Sequence, residues 1–246
     1  MLPPDVRWRG PRFEAAFAAA DELVTETDAS DAAVEALQGL ARRYGALPQD
    51  QTLSAQLSPE DRARLARVAE DLRIDPAALD RLRPWLAALQ LSYAHAARKG
   101  HSAQAGVETV LLAEARALGK RISYLETSEE QVRVLADLSP EDEERFLSLT
   151  LRQIEEDEVT LNALDHAWAR GEVELLGALL DAQWRQAGPA IHEAVILQRN
   201  RAWAEAIAER LDGSGRVFIA VGAAHLVGEQ NVVDLLRSRG IEVEGP

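Results

Sequence analysis

Val217-Phe218-Ile219-Ala220-Val221 is an unbroken β-favouring run with no polar alternation. A strand that is apolar on both faces belongs in a parallel sheet covered by helices, because a strand with one wet face would alternate. The run is followed by Gly222-Ala223-Ala224-His225, which turns into an apolar-periodic helix (Leu226, Val232, Val233, Leu235, Leu236) ended by Gly240. Ile241-Glu242-Val243 then reads as a final short strand. This end of the chain is a strand–turn–helix–strand unit, and it points to the α/β class.

Two further strands fit upstream. Glu22 to Thr27 is short and β-branched, and Asp28 after it reads as the N-cap of a helix carrying Ala33, Val34, Leu37 and Leu40, broken at Gly45 and Pro48. Arg121 to Leu125 is the second, followed by Ser128-Glu129-Glu130-Gln131 as a capping box. The rest is patterned as helix. Ser58-Pro59, Asp75-Pro76 and Ser139-Pro140 each set a capping side chain before a proline at the first helical position. Pro84 opens a helix with Trp85, Leu86, Leu89 and Tyr93 along one face, and Gly106 to Leu118 is another, with Val107, Val110, Leu111 and Leu118 on one side. Residues 139–211 are almost wholly helical, with breaks near Gly171 and at Gly188-Pro189. The opening, Met1 to Gly10, is Pro-rich and irregular. No Gly-, Ser- or Pro-rich linker divides the 246 residues. The expectation is one α/β domain with a mostly parallel central sheet and large helical insertions, at about 53–105 and 128–212, forming a cap.

Composition excludes several functions. There are 41 Asp and Glu against 27 Lys and Arg, a net charge of −14, which argues against general binding to nucleic acid or to anionic membrane surfaces. The chain has no cysteine, so a disulfide framework, a cysteine zinc site and a cysteine nucleophile are all excluded. No apolar run reaches the roughly 18 residues that span a bilayer. Gly-x-Gly-x-x-Gly, phosphate-loop, His-Glu-x-x-His and Gly-x-Ser-x-Gly signatures are absent.

Parallel sheets carry their functional groups just beyond the carboxyl ends of the strands. Here those ends are Glu26-Thr27-Asp28, Glu126-Thr127 and Gly222-Ala223-Ala224-His225. Two carboxylates and an imidazole are donors that suit a divalent metal such as Zn, Mn or Co. His225 falls in the first turn of the expected helix, where the dipole disfavours imidazolium and keeps the ring fit for ligand or base work. Gly222 and Gly228 permit close backbone approach. Plain alternatives stay open. Glu26 and Glu126 also read as strand-end surface carboxylates, Glu108 as a complement to its own helix N-terminus, and Arg199 as half of a surface ion pair. His95, His101, His166 and His192 read as structural or exposed, and the five tryptophans as core positions.

Several segments together carry a family resemblance. Val217 to Glu229, with Gly222-Ala223-Ala224-His225 inside it, resembles the C-terminal Gly-x-x-His motif of the TraB/PrgY/GumN family, which includes the Tiki proteases. Ala19 to Asp28 looks like that family's first acidic strand end, and Gly106-Val107-Glu108 with Ala115 and Gly119-Lys120 like its middle helix. Leu125 to Gln131 is similar to its Leu-Glu-Thr…Gln block, and Gln198-Arg199-Asn200 to its Arg-Asn pair. The resemblance implies a fold related to the erythromycin-esterase-like and haem-binding ChaN-like proteins. It implies metal-dependent hydrolysis of peptides, with two Gly-x-x-His motifs and glutamates forming the site. On this chain that nominates His225, Gly222, Glu26, Glu108, Glu126 and Arg199. The family's first Gly-x-x-His lies just before the Pro-containing stretch that opens here at Met1-Leu2-Pro3-Pro4, so the expectation is a late start, and a chain without that histidine would have half the site.

Sequence therefore frames three readings. The first is a metal-assisted peptide hydrolase in which His225, Glu26 and Glu108 hold a divalent ion, Glu26 or Glu126 serves as ligand or base, and Arg199 orients a carboxylate or the oxyanion. The second is a non-catalytic protein that binds a peptide or haem. The third is an interaction role for the helical cap, through a homodimer. Localisation follows the start: periplasmic or membrane-anchored if an upstream signal peptide was lost, cytoplasmic if Met1 is the true start.

Overall fold

The computed structural model describes residues 6–156 and 158–245. Its centre is a parallel sheet of three short strands, β1 (Glu22–Thr25), β2 (Arg121–Tyr124) and β3 (Val217–Ala220), in the order β2-β1-β3. Glu22 pairs with Arg121 on one side and Val217 on the other, and Thr25 with Tyr124 and Ala220, so all three strands end level.

Helices cover both faces. On one lie α1 (Pro11–Ala19) and, later in the chain, Val107–Ala117, which meet Leu23, Ile122, Tyr124, Phe218 and Ala220. On the other lie Gln198–Leu211 and Val232–Ser238, which meet Ile219 and Val221 through Trp203, Ile207 and Leu236. The period-two alternation along β3 thus divides two apolar layers, as a buried parallel strand requires. β3 is nonetheless the sheet's edge, so its residues are only half-buried, while Leu23 and Val24 of central β1 are fully buried.

Between β1 and β2 the chain runs through α2 (Asp31–Gly45), α3 (Leu53–Gln56), α4 (Pro59–Leu72), α5 (Pro76–Leu79), α6 (Pro84–Arg98) and α7 (Val107–Ala117). Between β2 and β3 it runs through α8 (Ser128–Ala136), α9 (Pro140–Glu156), α10 (Glu158–Arg170), α11 (Val173–Ala187), α12 (Pro189–His192), a π-turn (Glu193–Leu197) and α13 (Gln198–Leu211). A 3₁₀ turn (Ala223–His225) and α14 (Val232–Ser238) follow β3. The two insertions share one core, in which Leu65 and Val68 of α4 and Leu91 of α6 pack with Leu147 and Leu151 of α9.

The structure corrects several local expectations. Ile241-Glu242-Val243 is not a strand: Ile241 N–H donates to Leu236 O, Arg237 reaches the Val243 and Gly245 carbonyls, and Ile241 and Val243 bury against the Trp203 cluster instead of joining a ladder. The N-cap of α2 is Ser30, not Asp28, whose carboxylate accepts from the Ser30 N–H and hydroxyl in a turn before the helix. The capping box of α8 is one residue earlier than expected, Thr127 with Glu130. Tyr93 and Leu118, placed on apolar faces by periodicity, are 60% and 64% exposed. Of the Pro-rich opening, Val6 to Gly10 is irregular as expected, and residues 1–5 lie outside the described residues. Among the described residues no helix is long and apolar enough to cross a membrane.

Candidate functional site

Strand register brings the first two carboxylates together. Beyond the last paired residues, Leu125 N–H donates to Thr25 O (3.0 Å) and Glu126 N–H to Glu26 O (2.9 Å), so the two strand ends leave the sheet side by side. The Thr25 hydroxyl donates to Thr27 O (3.0 Å) and fixes the turn that presents Glu26. From β3, the Gly222 N–H donates to Glu26 Oε1 at 2.6 Å. A Cβ on Gly222 would lie 3.1 Å from that same oxygen, a tight contact that would push the carboxylate by a few tenths of an ångström. Gly228, at φ +77°, makes a similar close approach to Asp181 on α11.

One guanidinium joins these groups. Arg199, in the first turn of α13, donates from Nε and Nη2 to both oxygens of Glu126 (2.9 and 2.6 Å), and from Nη2 to Glu26 Oε2 (2.8 Å). Its Nη1 donates to the Val195 carbonyl in the π-turn (3.2 Å) and to His225 Nε2 (3.1 Å). The π-turn sets this reach: Gln198 N–H donates to Glu193 O, so the register shifts just ahead of Arg199. Single π-turns of this kind gather at functional sites. Arg199 also stacks on the Trp203 indole, 4.5 Å from the ring centroid and one helical turn away.

His225 is 4% exposed and rests against the same indole, with ring centroids 4.3 Å apart. Its tautomer follows from its neighbours. Asn200 is fully buried and its Nδ2 donates to Gln230 O (2.9 Å), which turns Oδ1 toward the ring. Nδ1–H of His225 therefore donates to Asn200 Oδ1 (2.7 Å), and Nε2 carries the lone pair that accepts from Arg199. The ring is neutral, as expected, but not through a helix dipole. His225 ends a 3₁₀ turn, and α14 starts only at Val232, capped by Asn231. Burial first, and then the Arg199 charge, push its pKa down to about 4, with Glu26 opposing.

The other groups respond to the same burial. Glu126 is pushed above the usual carboxylate range by burial, against the pull of Arg199. Burial alone would lower the Arg199 pKa, but its bonds and charge contacts with Glu126 and Glu26 outweigh that and hold it above the ordinary value. Two carboxylates around one guanidinium and a neutral imidazole leave the cluster net negative when both carboxylates are ionised.

Glu26, Glu126, Arg199, His225 and Gly222 thus meet at one point. Glu108 does not join them: it lies in the first turn of α7, its carboxylate on the Gly106 side, where it complements that helix N-terminus. Asn200 and Trp203 complete the site; in the sequence Asn200 stood only as part of the Arg-Asn pair, without a role, and Trp203 only as a core position. The signal available for them was their spacing from Arg199, next in chain and one turn on. The remaining histidines keep structural surroundings where described, His101 bonded to Asp165 (2.9 Å) and His192 stacked on Trp184.

The metal expectation meets this geometry directly. Among the described residues no three His, Asp or Glu side chains are disposed to hold a metal ion. Glu26, Glu126 and His225 do face a common point, but the Arg199 guanidinium fills it. As arranged, the residues present do not fit a divalent ion.

A cleft of about 470 Å³ opens onto Glu126 and Arg199, between α8 and the π-turn with α13.

The chain is similar to the uncharacterized protein YbaP of Escherichia coli (strain K12) and to its counterpart in Shigella flexneri, each 27% identical over 218 residues, 89% of this chain and 77% of the relative. No solved structure matches it. The model of the TraB/PrgY/gumN family matches residues 1–245, and the chain belongs to that family.

Proposed function

We propose that this protein is a peptide hydrolase and that the Glu26–Glu126–Arg199–His225 cluster is its catalytic centre. The observation that carries the reading is the convergence of three strand ends on one guanidinium, beside a buried neutral histidine whose Nε2 lone pair faces the cleft-lining Arg199. Such a set has the parts that amide hydrolysis needs, a base, a cation for the oxyanion and positioned carboxylates.

The roles follow from the contacts. A substrate carbonyl that draws Arg199 Nη1 away from His225 gains an oxyanion donor and frees Nε2. His225 then takes a proton from the attacking water at Nε2 and returns it to the departing amine. Asn200 holds the Nδ1–H and with it the productive tautomer. Glu126 and Glu26 hold Arg199 in place, as its bidentate and single partners.

The test is hydrolysis of a mixed peptide library followed by mass spectrometry, with His225→Ala beside the unaltered chain. The proposal expects cleavage that falls by roughly 10²–10⁴-fold in the variant while circular dichroism is unchanged. Cleavage by both chains at the same rate contradicts it. The alternative, binding of a peptide or haem without catalysis, predicts binding with no cleavage by either chain, and for haem a Soret band on titration.

A further inference from the structure

We infer that the cleft beside Glu126 and Arg199 seats an apolar side chain of the peptide substrate, in a segment free of acidic neighbours. This rests on the hydrolase reading above. The cleft adjoins the cluster directly, since Glu126 and Arg199 form part of its wall. Its apolar lining is Leu125, Val134 and Leu138 on one side and Ala194, Ala202 and Trp203 on the other, with Gln198 beside Arg199. At about 470 Å³ it lies in the range of pockets that hold a small ligand.

Two features give it room. On the π-turn and α13 side the residues that flank Gln198 and Arg199 in the lining are alanines, Ala194 and Ala202, and the space over them stays open beside Trp203. The π-turn, whose second residue is Ala194, also aims Arg199 at the carboxylates. The same turn thus lines the cleft and positions the cation beside it. The opposite wall, α8, is fixed by its Thr127–Glu130 capping box.

Charge sets the second part. Glu130, Arg133 and Asp137 edge the cleft, and Arg133 pairs with Asp137 at 3.0 Å. With Glu26, Glu126 and Arg199, that makes four acids and two arginines, beside a neutral His225. The excess is negative, and an acidic residue next to the seated side chain meets repulsion on entry. A peptide of apolar and neutral or basic residues complements the walls and the charge together.

The test uses fluorescein-labelled Gly-Gly-Leu-Gly-Gly, its all-glycine counterpart and a counterpart with Asp beside Leu. Anisotropy with the His225→Ala chain reads binding without turnover, so failure of catalysis and failure of the cleft are told apart. The inference expects the leucine peptide to bind about 10- to 100-fold tighter than the glycine peptide, with the aspartate peptide weakened. Ala202→Trp, at an exposed position, fills the cleft and erases the preference. In the unaltered chain the same variant raises KM for the leucine peptide more than it lowers kcat. Equal binding of leucine and glycine peptides, or a preference that survives Ala202→Trp, overturns the inference.

Discussion

Arg83 with Glu143 and Arg199 with Glu126 both set an arginine against a buried glutamate carboxylate, and of these two pairs only the second is built like a site. Arg83, just before α6, donates to the carbonyls of Tyr44 and Ala136 (2.8 Å each) and to the buried carboxylate of Glu143. It ties the ends of α2 and α8 to α9, and the carbonyls share its charge with one carboxylate. Arg199 instead faces two carboxylates and an imidazole, beside a cleft. Burial raises the carboxylate pKa in both pairs, at Glu143 and at Glu126. A buried ion pair with a shifted carboxylate is therefore not by itself a sign of function. What differs is the excess of acid, the neutral base in contact, and access.

The largest expected effect separates the pairs by stability. Arg83→Ala leaves Glu143 buried without its cation, which costs about 3–5 kcal/mol. For a chain of this size that lowers the thermal midpoint by roughly 10 °C, while hydrolysis per folded molecule is retained. An unchanged midpoint would show that the cap does not depend on this tie.

Acid should act on the other pair. His225 is neutral in the fold down to about pH 4, whereas an unfolded histidine takes up a proton below about 6.5. The unfolded state binds more protons in that window, so stability present above pH 6.5 is lost as pH falls toward 4, by about 3 kcal/mol. Glu126 has the opposite sign. Its raised pKa makes the fold bind the extra proton, so its contribution is present in acid and lost as pH rises just above the usual carboxylate range. Denaturant titrations across this range should show a shallower slope for His225→Gln and a steeper one for Glu126→Gln. Superimposable curves would mean the cluster is not coupled to folding.

A smaller effect concerns the tautomer. Asn200→Ala removes the Nδ1–H acceptor and should cost about 1–3 kcal/mol. Nitrogen NMR of the imidazole should report the Nδ1–H form in the unaltered chain and its loss in the variant. The same form in both would remove Asn200 from the site.

Much of this was legible in the sequence, for physical reasons. The all-apolar run at Val217 could only be a covered parallel strand, and Ser-Pro and Asp-Pro pairs mark helix starts because they satisfy free N–H groups locally. Glu26, Glu126 and His225 were reachable because a parallel sheet delivers its strand ends to one edge. Glu108 misled because a carboxylate in a first helical turn serves the dipole equally well. The final strand failed because Ile241 and Val243 had an apolar cluster to bury against and no ladder to join. The part Asn200 plays was hidden, although the residue stood in the Arg-Asn pair, because its bond to His225 is tertiary, and Trp203 read only as a core position. The contact of Arg199 with all three strand ends is tertiary; its spacing offered only a surface pair, and the family resemblance alone nominated it for the site.

The most direct measurement sets two isosteric changes side by side, Glu126→Gln and Glu143→Gln, and compares peptide hydrolysis per folded molecule. The account predicts a loss of about 100-fold or more in the first and near-unaltered rates in the second. Equal rates in the two variants would contradict it.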